Sequence, residues 1–210
     1  MKAEKRTMIL TTLVCLLPLI AGALVYNKLP ESVPVHFDFN GEPNGWAGRA
    51  VAAFGLPSLM LAINLFLPFA LNADPKRQNM SEALKNVVIW TIPVLSVICS
   101  GATLAKGLGY DVKIEVILPV FMGLLFVIIG NYLPKTKQSY TMGIKLPWTL
   151  NSEENWNRTH RLAGFLWVVG GLIFIAMSFI GWTLPVFLIV LAVMTLVPIG
   201  YSYMLYKKGT

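Results

Sequence analysis

Three features of the sequence predict an all-α integral membrane protein with six transmembrane helices. Hydrophobic residues make up 56% of the chain and charged residues 13%. Mean hydropathy is +0.65, and the apolar residues fall into long uninterrupted runs. Soluble domains carry about a quarter charged residues, and a hydrocarbon core of ~30 Å is crossed by about 20 apolar residues in a helix.

Six runs meet that length: Met8 to Tyr26, Ala50 to Leu71, Asn86 to Lys106, Ile114 to Tyr132, Leu162 to Ile180 and Thr183 to Tyr206. An even number of spans puts both termini on one side. With the amino terminus inside, the inner side holds Lys2, Lys5, Arg6, Lys76, Arg77, Lys85, Lys135, Lys137, Lys145, Arg158, Arg161, Lys207 and Lys208, and the outer side only Lys28, Arg49, Lys106 and Lys113. That imbalance predicts an N-in/C-in topology. The net charge of +7 is therefore a topology signal, and no direct nucleic-acid partner is expected. Lys2, Lys5 and Arg6 ahead of Ala21-Gly22-Ala23 imitate a secretory signal, but the apolar run continues to Tyr26, beyond the ~7–15 residues of a signal core, so a span is expected.

The runs divide the chain into an N-terminal two-span unit, 1–85, with an outer loop at 27–49, and a four-span unit, 86–210, with an inner loop at 131–161. Between Val33 and Phe39 the outer loop alternates as a short strand does, with Val33, Val35, Phe37 and Phe39 on one face and Pro34, His36 and Asp38 on the other. Asn40-Gly41 and Asn44-Gly45 supply two turns, so a small extended or hairpin cap is expected. Trp46 lies where an interfacial anchor belongs. His36 and Asp38 are both legitimate metal ligands, but two are too few. The competing expectation, which we favour, is that they hydrogen-bond the loop itself; a metal site would need ligands from another outer loop, such as Asp111 or Glu115. No metal or cofactor is predicted.

Pro57, Pro68 and Pro93 with Ser58, Asn64, Ser96, Ser100 and Thr103 read as ordinary packing chemistry for helices in lipid, with Asn64 the position to watch. No Asp, Glu, Lys, Arg or His lies deep in a span, which argues against a pump or proton-coupled transporter; no internal repeat relates the two halves. Cys15 and Cys99 both fall inside spans, so no extracellular disulfide framework is expected. The inner loop Asn72 to Lys85 reads as a turn at Asp74-Pro75 with a basic pair against headgroups, serving topology alone. The short links at Gly107 to Lys113 and Gly181-Trp182 make their flanking spans antiparallel neighbours.

The inner loop Asn131 to Gly164 is different. It holds five of the seventeen Lys and Arg residues and two of the six Trp. Pro134 ends a span, and Gly143 and Pro147 break any helix. Asn151 with Glu154 predicts an N-cap and capping box, with a helix restarting near Ser152. In that helix Trp156, His160 and Gly164 share one face. A folded re-entrant or surface-lying structure is expected here, with a plain interfacial helix as the simpler alternative. No H-E-x-x-H or G-x-S-x-G pattern is present, and no enzyme activity is predicted.

The segments GNYLPK, GIKLPWTL and EENWNRTHRLAG, at this spacing between two spans, resemble the SdpI family of bacterial membrane immunity proteins. The outer stretch LPESVPVHFDFNGEPNGW resembles the small domain of unknown function that often precedes it. The resemblance implies a multi-pass protein of the bacterial cell membrane that confers resistance to a secreted antimicrobial peptide, the sporulation-delaying toxin. It also implies a toxin sensor that holds a cytoplasmic transcriptional repressor at the membrane. Its partners would be the lipid bilayer, the peptide toxin outside and that repressor inside. On this reading His36, Phe37, Asp38, Asn40, Gly41 and Trp46 face the toxin. The motif residues Gly143, Lys145, Pro147, Trp148, Thr149, Trp156, His160 and Arg161 face the inner partner, with Ile144, Leu150 and Thr159 also carried by the motif. Where family patterns often have Arg-Thr before Pro-Trp, this chain has Lys145-Leu146, which keeps the charge but loses the bidentate fork and a hydroxyl. The alternatives are a sensor or binding protein for another ligand, a metal-dependent membrane enzyme and a small transporter.

Overall fold

The computed structural model describes residues 2–181 and 184–210. Among the described residues, six helices are long and apolar enough to cross a membrane: Lys5–Lys28, Val51–Asn72, Glu82–Gly107, Ile114–Lys135, Glu153–Ile180 and Leu184–Lys207. The all-α, multi-pass fold class follows from their number, length and composition. Several helices extend beyond their apolar runs. The third begins at Glu82 rather than Asn86, because the Ser81 carbonyl accepts from the Lys85 amide and starts the helical ladder early. Trp182 and Thr183, which carry the last predicted link and the predicted start of the sixth span, lie outside the described residues. Two compact units emerge, Met1–Phe69 with Asn86–Leu118, and Ala70–Lys85 with Pro119–Thr210.

The first unit contains α1 (Lys2–Val25), strands β1 (Ser32–Phe37) and β2 (Pro43–Gly48), a π turn at Val51–Gly55, most of α2 (Leu56–Asn72) and α3 (Glu82–Gly107), and the start of α4 (Ile114–Tyr132). β1 and β2 form an antiparallel hairpin. Its base is buried: Leu29 and Val33 pack with Ala52 and Ala53 of the π turn and Leu104 of α3. Close contacts surround this seat. A Cβ on Gly107 would stand 2.8 Å from Val33 Cγ1, and one on Gly22 would stand 2.7 Å from the Ala53 carbonyl oxygen, so both glycines admit close approach. Tyr26 stacks on Phe54 with ring centroids 5.6 Å apart. Asn64, the position to watch, donates from Nδ2 to Thr12 Oγ1 at 3.2 Å, tying α2 to α1.

Two sequence expectations for the hairpin are corrected. The pairing slips between Pro34 and His36 and again between His36 and Phe37, so the strict alternation fails: Val33 is fully buried while Val35 is exposed, and the strand stops at Phe37 with Phe39 in the turn. Asn44-Gly45 is not a turn. Both residues lie within β2, and only Gly41 takes the left-handed backbone, at φ +79°. His36 sits opposite Gly45, where a Cβ would meet His36 Cβ at 2.9 Å, so this glycine serves close approach rather than reversal.

The second unit is built on the rest of α4, α6 (Glu153–Ile180) and α7 (Leu184–Lys207), with the short α5 (Pro147–Asn151) in the central loop. α4 and α6 approach at their glycines: Cβ atoms on Gly123 and Gly171 would each stand 2.6 Å from the other's carbonyl oxygen, and Gly130 and Gly164 repeat the arrangement two turns along. Gly170 instead accommodates Met194 of α7. The pair Gly170-Gly171 thus serves packing within the chain. Phe174 and Met194 form the buried centre between α6 and α7, and the Trp167 indole donates to the Met194 carbonyl at 3.0 Å.

Candidate functional site

In the hairpin, the polar residues that could have held a metal are engaged with the loop itself. Asp38 Oδ1 accepts from the backbone N–H groups of Asn40 and Glu42, each at 2.9 Å. The Asp38 carbonyl accepts from Gly41, and its amide donates to Glu42. This Asx-type closure explains why Asp stands there and why Gly41 can turn. His36 Nδ1 donates to Asn44 Oδ1 across the strands. The Glu115 carboxylate lies where a Cβ on Gly41 would stand, so the turn rests on the first turn of α4. Among the described residues no group of three or more His, Cys, Asp or Glu gathers to hold a metal. The hairpin exposes three large apolar side chains, Trp46 (58% exposed), Val35 and Phe39, among exposed polar ones at His36, Asp38, Asn40, Glu42 and Asn44.

The central loop is a packed structure rather than a tether. Pro147 does not stop a helix; it opens α5, where its missing N–H costs nothing. Asn151 is consequently the last residue of α5 and not an N-cap. Ser152 takes that place, in extended backbone, its Oγ accepting from the Asn155 N–H at 3.2 Å. The helix restarts where expected with a different cap.

From α6, Trp156, His160 and Gly164 do share one face, and all three are buried. The Trp156 indole donates to the Thr136 carbonyl at 2.8 Å, and its ring stacks on His160 with centroids 4.0 Å apart. His160 is bonded at both nitrogens. Nε2 accepts from the Ile144 N–H at 2.9 Å, and Nδ1 donates to the Trp156 carbonyl at 2.8 Å. Accepting at one nitrogen while donating at the other requires the neutral imidazole. Gly143, at φ +106°, lies against this pair: a Cβ there would stand 2.6 Å from His160 Nε2 and 2.7 Å from the Trp156 ring. Thr149 is fully buried and closes the GIKLPWT turn, accepting from the Leu146 N–H at 2.9 Å and donating to the Ile144 carbonyl at 2.8 Å.

Trp148 fastens the loop to α7. Its indole donates to Ser202 Oγ at 2.8 Å and its ring lies over Tyr206 at 5.7 Å. Ser202 donates in turn to Asn155 Oδ1 at 2.6 Å, which also accepts from Thr159 at 3.1 Å. The motif residues therefore separate by role. Gly143, Thr149, Trp156, Thr159 and His160 hold the loop together, whereas Lys145, Pro147 and Arg161 are exposed on it and Trp148 is half-buried.

Sequence reasoning missed the residue that organises this loop from outside. Asp74, in the connection read as topology alone, is 5% exposed. Its Oδ2 accepts from Ser139 Oγ at 2.7 Å and from the amides of Tyr140 and Thr141 at 3.0 and 2.8 Å; its Oδ1 accepts from the Lys76 amide at 2.7 Å. Burial pushes this carboxyl up, but the hydrogen bonds from Ser139, Lys76 and Thr141 outweigh it and leave the group below its ordinary value. Gln138 adds a second tie. Its carbonyl accepts from Asn79 Nδ2 at 2.9 Å and its side-chain amide donates to the Thr149 carbonyl at 2.9 Å. The sequence marks Asp74 only as an acid beside the basic pair Lys76-Arg77, which names no partner. Asp-Pro explained it too cheaply as a turn.

Residues 135–202 match the SdpI/YfhL protein family, and residues 13–61 match a domain of unknown function, DUF1648. The chain is 29% identical over 207 residues, 97% of each chain, to the Immunity protein SdpI of Bacillus subtilis (strain 168). No solved structure matches. The match to the SdpI/YfhL family thus covers most of the central loop with α5, α6 and most of α7, and the match to DUF1648 lies ahead of it, in a multi-pass membrane protein that is similar along nearly its whole length to an SdpI immunity protein.

Proposed function

We propose that this chain is a membrane immunity protein that protects its host from a secreted antimicrobial peptide. The observation that carries the reading is the similarity to an immunity protein over 97% of both chains, spanning the hairpin and the central loop alike. With the N-in/C-in topology that the basic residues favour, the hairpin between the first two spans faces outward and the central loop inward. A hairpin closed by its own hydrogen bonds and seated on a packed base, with exposed Trp46, Val35 and Phe39, suits a hydrophobic peptide arriving at the membrane surface, because aromatic anchors on a pre-organised scaffold cost little entropy on binding. The reading asks for no chemical step.

The finer part of the proposal is sensing. Toxin bound outside alters affinity inside only where the helices have two arrangements that the toxin distinguishes. The exposed Lys145, Pro147 and Arg161 with half-buried Trp148 form the face that would then retain a cytoplasmic transcriptional repressor. Co-purification tests the outer half directly. Labelled sporulation-delaying peptide should be retained by the detergent-solubilised chain and retained less by Trp46→Ala; equal recovery from the chain and from an unrelated six-span protein would refute it.

A further inference from the structure

The central loop is not the whole of its own surface. Loop 72–85 reaches it through three separate ties: the Asp74 carboxylate on Ser139, Tyr140 and Thr141, Asn79 on the Gln138 carbonyl, and Lys76 Nζ on Gln138 Oε1 at 3.4 Å. Successive backbone N–H groups that converge on one point form an anion-binding nest. Here the nest at Tyr140 and Thr141, completed by the Ser139 hydroxyl, is filled by a carboxylate from a loop more than sixty residues earlier in the chain. Ser139 Oγ in turn accepts from the Thr141 and Met142 amides, both at 3.2 Å. The carboxylate thus determines the path of the chain that leads into Gly143 and the GIKLPWT turn.

We infer that Asp74 is the positioning residue of the central loop, and that loops 72–85 and 131–161 form one composite surface locked by its carboxylate. Charge-assisted hydrogen bonds are about twice as strong as neutral ones, and Asp74 makes four of them from a buried position. Without it, the Ser139 hydroxyl and the Tyr140 amide lose this acceptor, the Thr141 amide keeps only its 3.2 Å bond to Ser139 Oγ, and the stretch from Ser139 to Met142 is held on its course far less firmly. The exposed Lys145 and the Trp148 anchor downstream would lose their fixed register. This inference rests on the proposed reading for its biological meaning, but not for its test.

The test uses the full chain in detergent, with a cysteine placed at buried Met142 (7% exposed) and, in a separate variant, at fully buried Val33 of the hairpin unit. Labelling by a maleimide requires local opening, so its rate follows the open population. Cys15 and Cys99 remain, and the parent chain gives their background. In the Met142→Cys chain, Asp74→Asn should raise labelling about tenfold or more, Asp74→Glu should recover part of the protection, and adding Ser139→Ala to Asp74→Asn should raise the rate further but by less than Ser139→Ala does alone, because the two share one bond while the Ser139 hydroxyl also accepts from the Thr141 and Met142 amides. Labelling at Val33→Cys should be unchanged. If Asp74→Asn does not accumulate, Ser139→Ala alone should give a smaller rise at Met142→Cys. No rise in either variant would overturn the inference, as would an equal rise at Val33→Cys, which would mean general unfolding. Survival under toxin is read separately: failure of the unsubstituted chain to protect would count against the immunity reading and leave the labelling result standing.

Discussion

Gly143→Ala is the sharpest probe of the central loop, since a single methyl meets two independent obstacles there. The first is the backbone: at φ +106° an L side chain costs about 1–2 kcal/mol. The second is space, because the new Cβ would stand 2.6 Å from His160 Nε2 and 2.7 and 2.8 Å from two atoms of the Trp156 ring. Neither neighbour is a flexible chain end. His160 is bonded at both nitrogens and Trp156 through its indole. Overpacking of this kind costs about 1–3 kcal/mol. Together the terms give about 2–5 kcal/mol, or an open population raised about 30-fold to 4,000-fold at 1.4 kcal/mol per tenfold. Hydrogen exchange of the peptide spanning 137–146 reads this directly through the Ile144 amide that His160 holds. Gly109→Ala is the control. Gly109 has φ +87° and no atom within 4 Å of its would-be Cβ, so it incurs the backbone term alone, about 5-fold to 30-fold on its own turn. Equal effects from the two substitutions would show that the Gly143 contact with His160 and Trp156 does not constrain the loop.

Other consequences follow from the same geometry. His160→Phe preserves a ring against Trp156 but leaves the Ile144 amide without its acceptor, which should cost about 1–3 kcal/mol; Trp emission and exchange at 137–146 would report it, and an unchanged loop would mean the bond is dispensable. Gly171→Val drives a branched side chain into the Gly123 carbonyl at the α4–α6 crossing. It should lower the thermal midpoint in detergent and yield of folded protein, whereas Gly101→Val, with nothing within 4 Å, should not. The Asp74 carboxyl is held below its ordinary value of about 3.9. Its folded-state value being the lower one, the stabilisation it gives is fully present above that ordinary value and is lost as pH falls through the folded one. Acrylamide quenching of Trp fluorescence should therefore stay flat from pH 7 to 5 and rise only in strong acid, and Asp74→Asn should abolish that acid step; a transition near neutrality that depends on Asp74 would contradict the assignment.

Much of this fold is written in hydropathy. Ile114–Tyr132 emerges with the bounds its apolar run predicts, and the shared face of Trp156, His160 and Gly164 follows from helical spacing alone. Local chemistry was legible where one cause dominates, as at Gly41, where an Asn-Gly pair does make the turn. It failed where two causes compete. Asn44-Gly45 has the same turn signature, yet strand pairing and the approach of His36 claim it. Asn151 and Ser152 are both good caps, and the choice between them was made by Pro147, whose pre-set backbone starts a helical turn that carries Asn151 with it. Asp74 was out of reach for another reason. Its partners lie in a different loop, and nothing in the local pattern of Asn-Ala-Asp-Pro points to a nest at Tyr140 and Thr141.

Survival under toxin tests the central claim most directly. A bacterium sensitive to the sporulation-delaying peptide and lacking its own immunity gene is given the chain or an empty vector, and the membrane fraction is checked for the protein. The chain is expected to protect, with Trp46→Ala reducing that protection while still reaching the membrane. Sensitivity equal to the empty vector, with the unsubstituted chain present in the membrane, would contradict the immunity assignment against that peptide.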